Sequence, residues 1–382
     1  MNRRARLPGF FAALALLAAL GLWWRQRPPT GTPALAVEAP PAPPPPAGPP
    51  DAGRASAPEE AAVPVEQLPQ PQCWNGLLAL DQARALGELR TALEAAAGRG
   101  DELLATYLRE RLAERVGADP EAALEVISWA EQASQPGLYL EALKSTPAVQ
   151  QPRVAERLLQ LGERAGAPPA LRRSALETLE TQQRLGAEPL SRLQALALEG
   201  STGELAGAAT RTLGQVMKND FERTSAFEPY WDALLDIGRK SPDTAVRLMA
   251  LEMPTYSNPL PGGASLDTLA TILQKDPDRA VREMAALRLS LTREPARALE
   301  LYGQAFPLEQ DLCVRWAIFR FAARAAGARA LPLLEKFAAQ DARLRADYED
   351  FRDLYETGAA DFSRVWLGKP ERHPCNNEGG AP

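Results

Sequence analysis

The stretch Ser241–Leu251, SPDTAVRLMAL, returns later in the chain, and that return limits the fold more than any other feature. It reads as a turn with a capping Ser or Asp, followed by an apolar-periodic helix that opens at Val246-Arg247. One helical hairpin further on, Asp276-Pro277-Asp278 leads into Ala280-Val281-Arg282, with Ala285 and Leu287 behind. A repeat of this size predicts stacked helix pairs, each burying its apolar face against its neighbours.

Aligning the second helices extends the series. Leu171-Arg172 with Ala175, Leu205-Ala206 with Ala209, Val246-Arg247 with Ala250 and Val281-Arg282 with Ala285 recur at about 34, 41 and 35 residues. Val314-Arg315 follows about 33 residues later, with Ile318 in place of Ala. From Trp74 onward Ala, Leu, Glu and Arg dominate, with apolar residues at i, i+3, i+4 and i+7 and Gly or Pro breaks at short intervals. The fold class expected is all-α: an α-solenoid of antiparallel helix pairs over 73–366. A membrane anchor (1–27) and a Pro/Ala-rich linker (28–72) precede it, and a tail (367–382) follows.

In these residues the chain resembles the HEAT-repeat family. The resemblance rests on a turn Asp, then Val-Arg, then a small residue one turn on: Asp243/Val246-Arg247/Ala250 and Asp278/Val281-Arg282/Ala285. It covers about 150–340 well, and 77–145 by helical periodicity alone. Leu205-Ala206 departs from it by lacking the Arg. The resemblance implies a ladder of Asp–Arg contacts between repeats, which makes Asp243, Asp278, Arg247 and Arg282 scaffold residues.

The N-terminus sets an expected address. Leu7–Trp24 is an uncharged, mostly apolar run near the lower length limit for a spanning helix. Arg3, Arg4 and Arg6 precede it, so the positive-inside rule predicts an N-in, single-pass anchor with the body in the bacterial periplasm. The alternative is a secreted protein cut at Ala34-Leu35-Ala36, although that site lies well beyond the apolar run. Pro28–Gln72, which contains PPAPPPPAGPP, reads as a disordered spacer. Of the formal charge of -6, residues 1–27 carry +5 and 28–72 carry -4, which leaves -7 on the body from Cys73 onward, and an acidic body argues against a nucleic-acid partner.

Catalytic readings find little support. The single His373 sits beside Pro374, and there is no GxxxxGK[ST] stretch or Cys/His cluster, so no cofactor or metal is expected. Asp347 and Asp350 stand at ordinary helical spacing, and a hydrolase using paired carboxylates is the weakest alternative. The expectation is a non-enzymatic scaffold or adaptor that binds a protein or peptide; a cell-wall glycan binder is the second reading.

Two connections, Lys218–Pro229 and Pro254–Ser265, are read as long loops on one edge of the array, and long loops are often functional. They supply the candidate binding edge: Phe221, Phe227, Tyr256 and Asn258, with Tyr230 opening the next helix. Phe227, Tyr230 and Trp231 also fit a role as staples and core, which leaves Tyr256 as the better contact residue. Cys73 and Cys375 bracket the body and are the candidate disulfide, against two separate thiols. Cys313, beside Val314 and Trp316, reads as a small buried hydrophobe.

Overall fold

The computed structural model describes residues 85–199, 203–253 and 262–358, and these are helical with no strand among them. The expected anchor, linker and tail lie outside the described residues, as do Cys73, Cys375, Tyr256 and Asn258. No helix among the described residues is long and apolar enough to cross a membrane.

The helices pack as consecutive pairs. The first pairs are α1 (Leu86–Gly98) with α2 (Glu102–Val116), α3 (Pro120–Gln132) with α4 (Gly137–Leu143), and α5 (Pro152–Glu163) with α6 (Pro169–Leu179). Then come α7 (Ala187–Glu199) with α8 (Gly203–Thr224), α9 (Glu228–Lys240) with α10 (Thr244–Glu252), and α11 (Ala264–Lys275) with α12 (Arg279–Leu289). The last are α13 (Pro295–Ala305) with α14 (Leu312–Ala326), and α15 (Leu331–Gln340) with α16 (Arg345–Arg352). From α2 to α14 the even-numbered helices pack each on the next to form one layer, and α3 to α13 form the other.

Small residues set how closely that layer packs. Ala175, Ala209, Ala250 and Ala285, at equivalent positions in α6, α8, α10 and α12, are all fully buried, as is Ile318 in α14. A methyl group there lets helix axes approach to about 8–10 Å. Gly214 in α8 is tighter still, since a Cβ on it would lie 2.5 Å from the Cβ of Met253.

The repeated phrase builds each junction. Asp243 accepts hydrogen bonds from the N–H groups of Ala245 (2.8 Å) and Val246 (3.2 Å), satisfying orphan donors at the start of α10. Asp278 caps α12 and Asp311 caps α14 in the same way. The Arg one turn inside each helix reaches into the next repeat. Arg247 donates through Nε (2.8 Å) and Nη2 (3.1 Å) to the two carboxylate oxygens of Asp276. Arg282 does the same to Glu309, and Arg315 donates through Nη1 to Asp341 at 3.3 Å.

The ladder acids are therefore Asp276, Glu309 and Asp341, not the capping Asp243 and Asp278. Each capping Asp serves its own helix, and the residue two positions before the cap, or in the equivalent turn, receives the neighbour's Arg. Where α8 carries Ala206 instead of Arg, the equivalent turn position is Ser241, so both members of the pair are replaced at one junction. Arg288 adds another link by donating to the carbonyls of Leu251 (2.5 Å) and Glu252 (2.8 Å), two of the orphan acceptors ending α10.

One sequence expectation is overturned. Residues 218–224 are helix, because α8 runs on to Thr224, and Ser225 ends it with a φ of 62°. The repeat spacing of about 41 instead of 34 residues is thus two extra helical turns, at 3.6 residues per turn. The connection to α9 is only 225–227. Polar KNDFERT reads as a loop, yet Asn219 donates to the carbonyls of Glu180 (2.9 Å) and Gln182 (2.8 Å), and Asp220 is fully enclosed.

Candidate functional site

The connections between pairs lie side by side. Gln150, at the end of a short 3₁₀ turn (Pro147–Gln150), donates to the Thr181 carbonyl at 2.8 Å, and its own side-chain oxygen accepts the Gln183 N–H at 3.0 Å. Further along, the Gly263 N–H donates to Glu294 at 2.7 Å, tying together two more such connections. Of the two long loops expected on one edge, most of Pro254–Ser265 lies outside the described residues.

That edge holds a cleft of about 440 Å³ where the 180–186 connection passes between the α5/α6 pair and α7. Its floor is apolar, with Leu159, Leu179, Leu185 and Leu193 among the lining side chains, all buried. Glu156 and Arg184 supply charge at the rim. Glu156 is fixed by Arg192, whose Nη1 donates at 2.8 Å; Gln160 donates to it as well. The Arg192 bond holds the Glu156 carboxyl below the ordinary carboxylate range. Arg192 also pairs with Glu163, and the two carboxylates raise its guanidinium further above its usual value.

Arg184 has a different setting. Its side chain is 65% exposed while its Nε stays 3.5 Å from Asp220. A tethered but exposed guanidinium of this kind can still present a planar fork of donors to a carboxylate.

Behind Arg184 is a polar knot. Asp220 accepts from the hydroxyls of Tyr230 (3.1 Å) and Thr224 (2.8 Å), and the Tyr230 hydroxyl accepts the Leu185 N–H at 2.9 Å. Tyr230 is 2% exposed, and burial raises its hydroxyl pKa above the usual tyrosine value, with the Asp220 charge adding to it. Its function is to pin the 180–186 connection; it is enclosed and does not face solvent at the edge. Trp231 is likewise in the core. Phe221 and Phe227 pack edge to face, with centroids 6.4 Å apart at 84°, both half-buried and adjoining this knot. The structure therefore places Phe221, Phe227 and Tyr230 together, on a helix end and its exit instead of on a long loop.

Sequence reasoning missed the cleft. Gln182, Arg184 and Leu185 sit in a short connection that is fixed from a distance: Asn219 donates to the Gln182 carbonyl, Asp220 pairs with Arg184 and Tyr230 accepts from Leu185, 37, 36 and 45 residues on. No sequence signal marks a contact of that range.

Cys313, 6% exposed, is disulfide-bonded. The chain holds three cysteines, so its bridge and a Cys73–Cys375 bridge exclude each other. Glu283, Asp311 and Cys313 offer ligand atoms within 4.8 Å of one another. With the sulfur bridged there is no thiolate to bind a metal, and Asp311 is already committed to capping α14.

No family model matches the chain, and no curated protein matches it significantly.

Proposed function

We propose that this chain is a HEAT-like α-solenoid that serves as a scaffold or adaptor, binding a protein or peptide partner at the edge built from its between-pair connections. The observation that carries the reading is the cleft at 150–193, with an apolar floor and an exposed but anchored Arg184, whose partner Asp220 precedes Phe221 of the Phe221–Phe227 pair. The Asp220–Tyr230 knot holds this surface in place before any partner arrives, which lowers the ordering cost of binding. The chemistry suits a segment that offers apolar side chains next to a carboxylate.

The repeated caps and the Arg247–Asp276, Arg282–Glu309 and Arg315–Asp341 links support the HEAT-like assignment. The apolar run at Leu7–Trp24 with its Arg flank, and the Pro-rich stretch after it, support a body tethered at the bacterial inner membrane and held in the periplasm. The test is chemical crosslinking of tagged full-length protein in its own cell, followed by mass spectrometry. A partner enriched by the native chain and lost with Arg184→Glu supports the reading. Equal recovery with the variant, or no enrichment over an unrelated exported helical-repeat protein, defeats it.

A further inference from the structure

The even-numbered layer is bonded unevenly along its length. At the α6/α8 junction Arg173 pairs with Glu204 at the turn end. Towards the connections, Arg211 lies 3.6 Å from Glu177 and the Thr212 hydroxyl donates to the Leu176 carbonyl at 2.9 Å. At the α10/α12 junction the Arg247–Asp276 pair holds the turn end, and Arg288 holds the other through the carbonyls of Leu251 and Glu252. Between these two lies the α8/α10 junction, where Ala206 and Ser241 stand in the places of the Arg and its acid. Among the described residues no hydrogen bond or ion pair joins α8 to α10.

What meets at that junction is adaptable. Gly207 and Gly214 of α8 face Met249 and Met253, and the Met249 methyl lies 3.6 Å from where a Cβ on Gly207 would be. Glycine offers no side chain to interlock, and methionine has three rotatable bonds and a soft sulfur, so the contact can be remade as one helix shifts on the other. An Arg–carboxylate fork, by contrast, holds one geometry.

The directional bonds across the same boundary lie on the other side of the array. The Tyr230 hydroxyl of α9 donates to Asp220 near the end of α8 and accepts the Leu185 N–H, both at the connection edge. In the odd-numbered layer Gln194 of α7 donates to Asp236 of α9 at 3.0 Å. The closest approach of α8 to α10, Gly214 against Met253, is also towards the connections.

We propose that the α8/α10 junction is a hinge whose turn end opens and closes about a pivot at the Asp220–Tyr230 knot, freed by the Ala206/Ser241 gap in the ladder. Asp220 lies 17 residues beyond Gly203, about 25 Å along the helix, so a rotation of about 10° at the pivot moves the turn end by about 4 Å. The 150–193 cleft belongs wholly to the α1–α8 side and sits next to the pivot, so it keeps its shape while the angle to α9–α16 changes. The hinge does not depend on any partner at the cleft.

The test is double electron–electron resonance on the full chain, with spin labels attached through p-acetylphenylalanine so that the cysteines stay untouched. Ala170 with Ala245 spans two interhelical steps across the open junction, and Ala245 with Gln310 spans two steps across the Arg247 and Arg282 rungs; all three positions are exposed. The first distance distribution is expected to be at least about twice as broad as the second. Restoring the rung with Ala206→Arg and Ser241→Asp is expected to narrow the first to the width of the second. Equal widths in the native sequence overturn the hinge, whether or not the double variant folds. A folded double variant that stays broad overturns it as well, because the missing rung is then not what frees the junction.

Discussion

Removing Arg247 tests how the array is held together. Its side chain is 8% exposed and that of its partner Asp276 is 5% exposed. It donates to both Asp276 oxygens and, through Nη1, to the Ser241 carbonyl at 3.1 Å. In Arg247→Ala, Asp276 keeps only the N–H of Asp278, at 2.9 Å, in a nearly enclosed position. Breaking a buried pair from one side costs about 3–5 kcal/mol, and the position of this pair in a turn places the expected loss near 3 kcal/mol. Arg247→Lys recovers charge but not the fork and is expected to lose about 2 kcal/mol. A double-mutant cycle with Asp276→Asn should give a coupling of about 2 kcal/mol, against less than about 0.5 kcal/mol for the exposed Arg153–Glu121 pair. The assay is urea denaturation of the full chain followed by far-UV circular dichroism. Because such arrays are stabilised junction by junction, the variant should also develop an early shoulder as α11–α16 separate from α1–α10. A coupling no larger than that of the exposed pair would refute the ladder as a stabilising device.

Three further outcomes follow from the same contacts. Tyr230→Phe removes a donor to Asp220 and strands the Leu185 N–H, so urea denaturation should show a loss of about 1–3 kcal/mol and hydrogen exchange should quicken at Leu185. Gly214→Ala drives a methyl group into Met253 and should cost about 1–3 kcal/mol in the same assay. Asp341, held chiefly by Arg343, titrates at about 2 in the folded chain, below the unfolded value near 3.9. Its contribution is therefore complete above about pH 4 and is lost as pH falls through about 2. Discounted for the exposure of Arg343, it amounts to about 1–2 kcal/mol, and the stability gap between native protein and Asp341→Asn should close by that amount between pH 5 and 2.

The helix pairs were legible because 3.6-residue periodicity and local capping act within one turn or one hairpin. Asp243, Val246 and Ala250 carry cap, core and close approach in a single phrase, so their roles can be read without a partner in view. The links between repeats were less legible. Asp276 and Glu309 look like ordinary turn acids until the neighbouring Arg is placed beside them. The end of α8 was misread for a related reason. Polar residues such as Asn219 and Asp220 signal a loop when their partners are unknown, and those partners, Gln182 and Tyr230, come from the 180–186 connection and the first turn of α9. The edge was expected from loop length, whereas its most defined feature is a cleft made by short connections.

The central claim is that the cleft edge receives a partner, and site-resolved photocrosslinking in the native cell tests it most directly. A benzophenone side chain is placed in the full-length protein at Arg184 or at Phe221, with Arg329, an exposed residue near the far end of the array, as the control. Arg184 and Phe221 should capture the same protein, and Arg329 should not. Capture of that protein equally from all three positions, or from none, would contradict it.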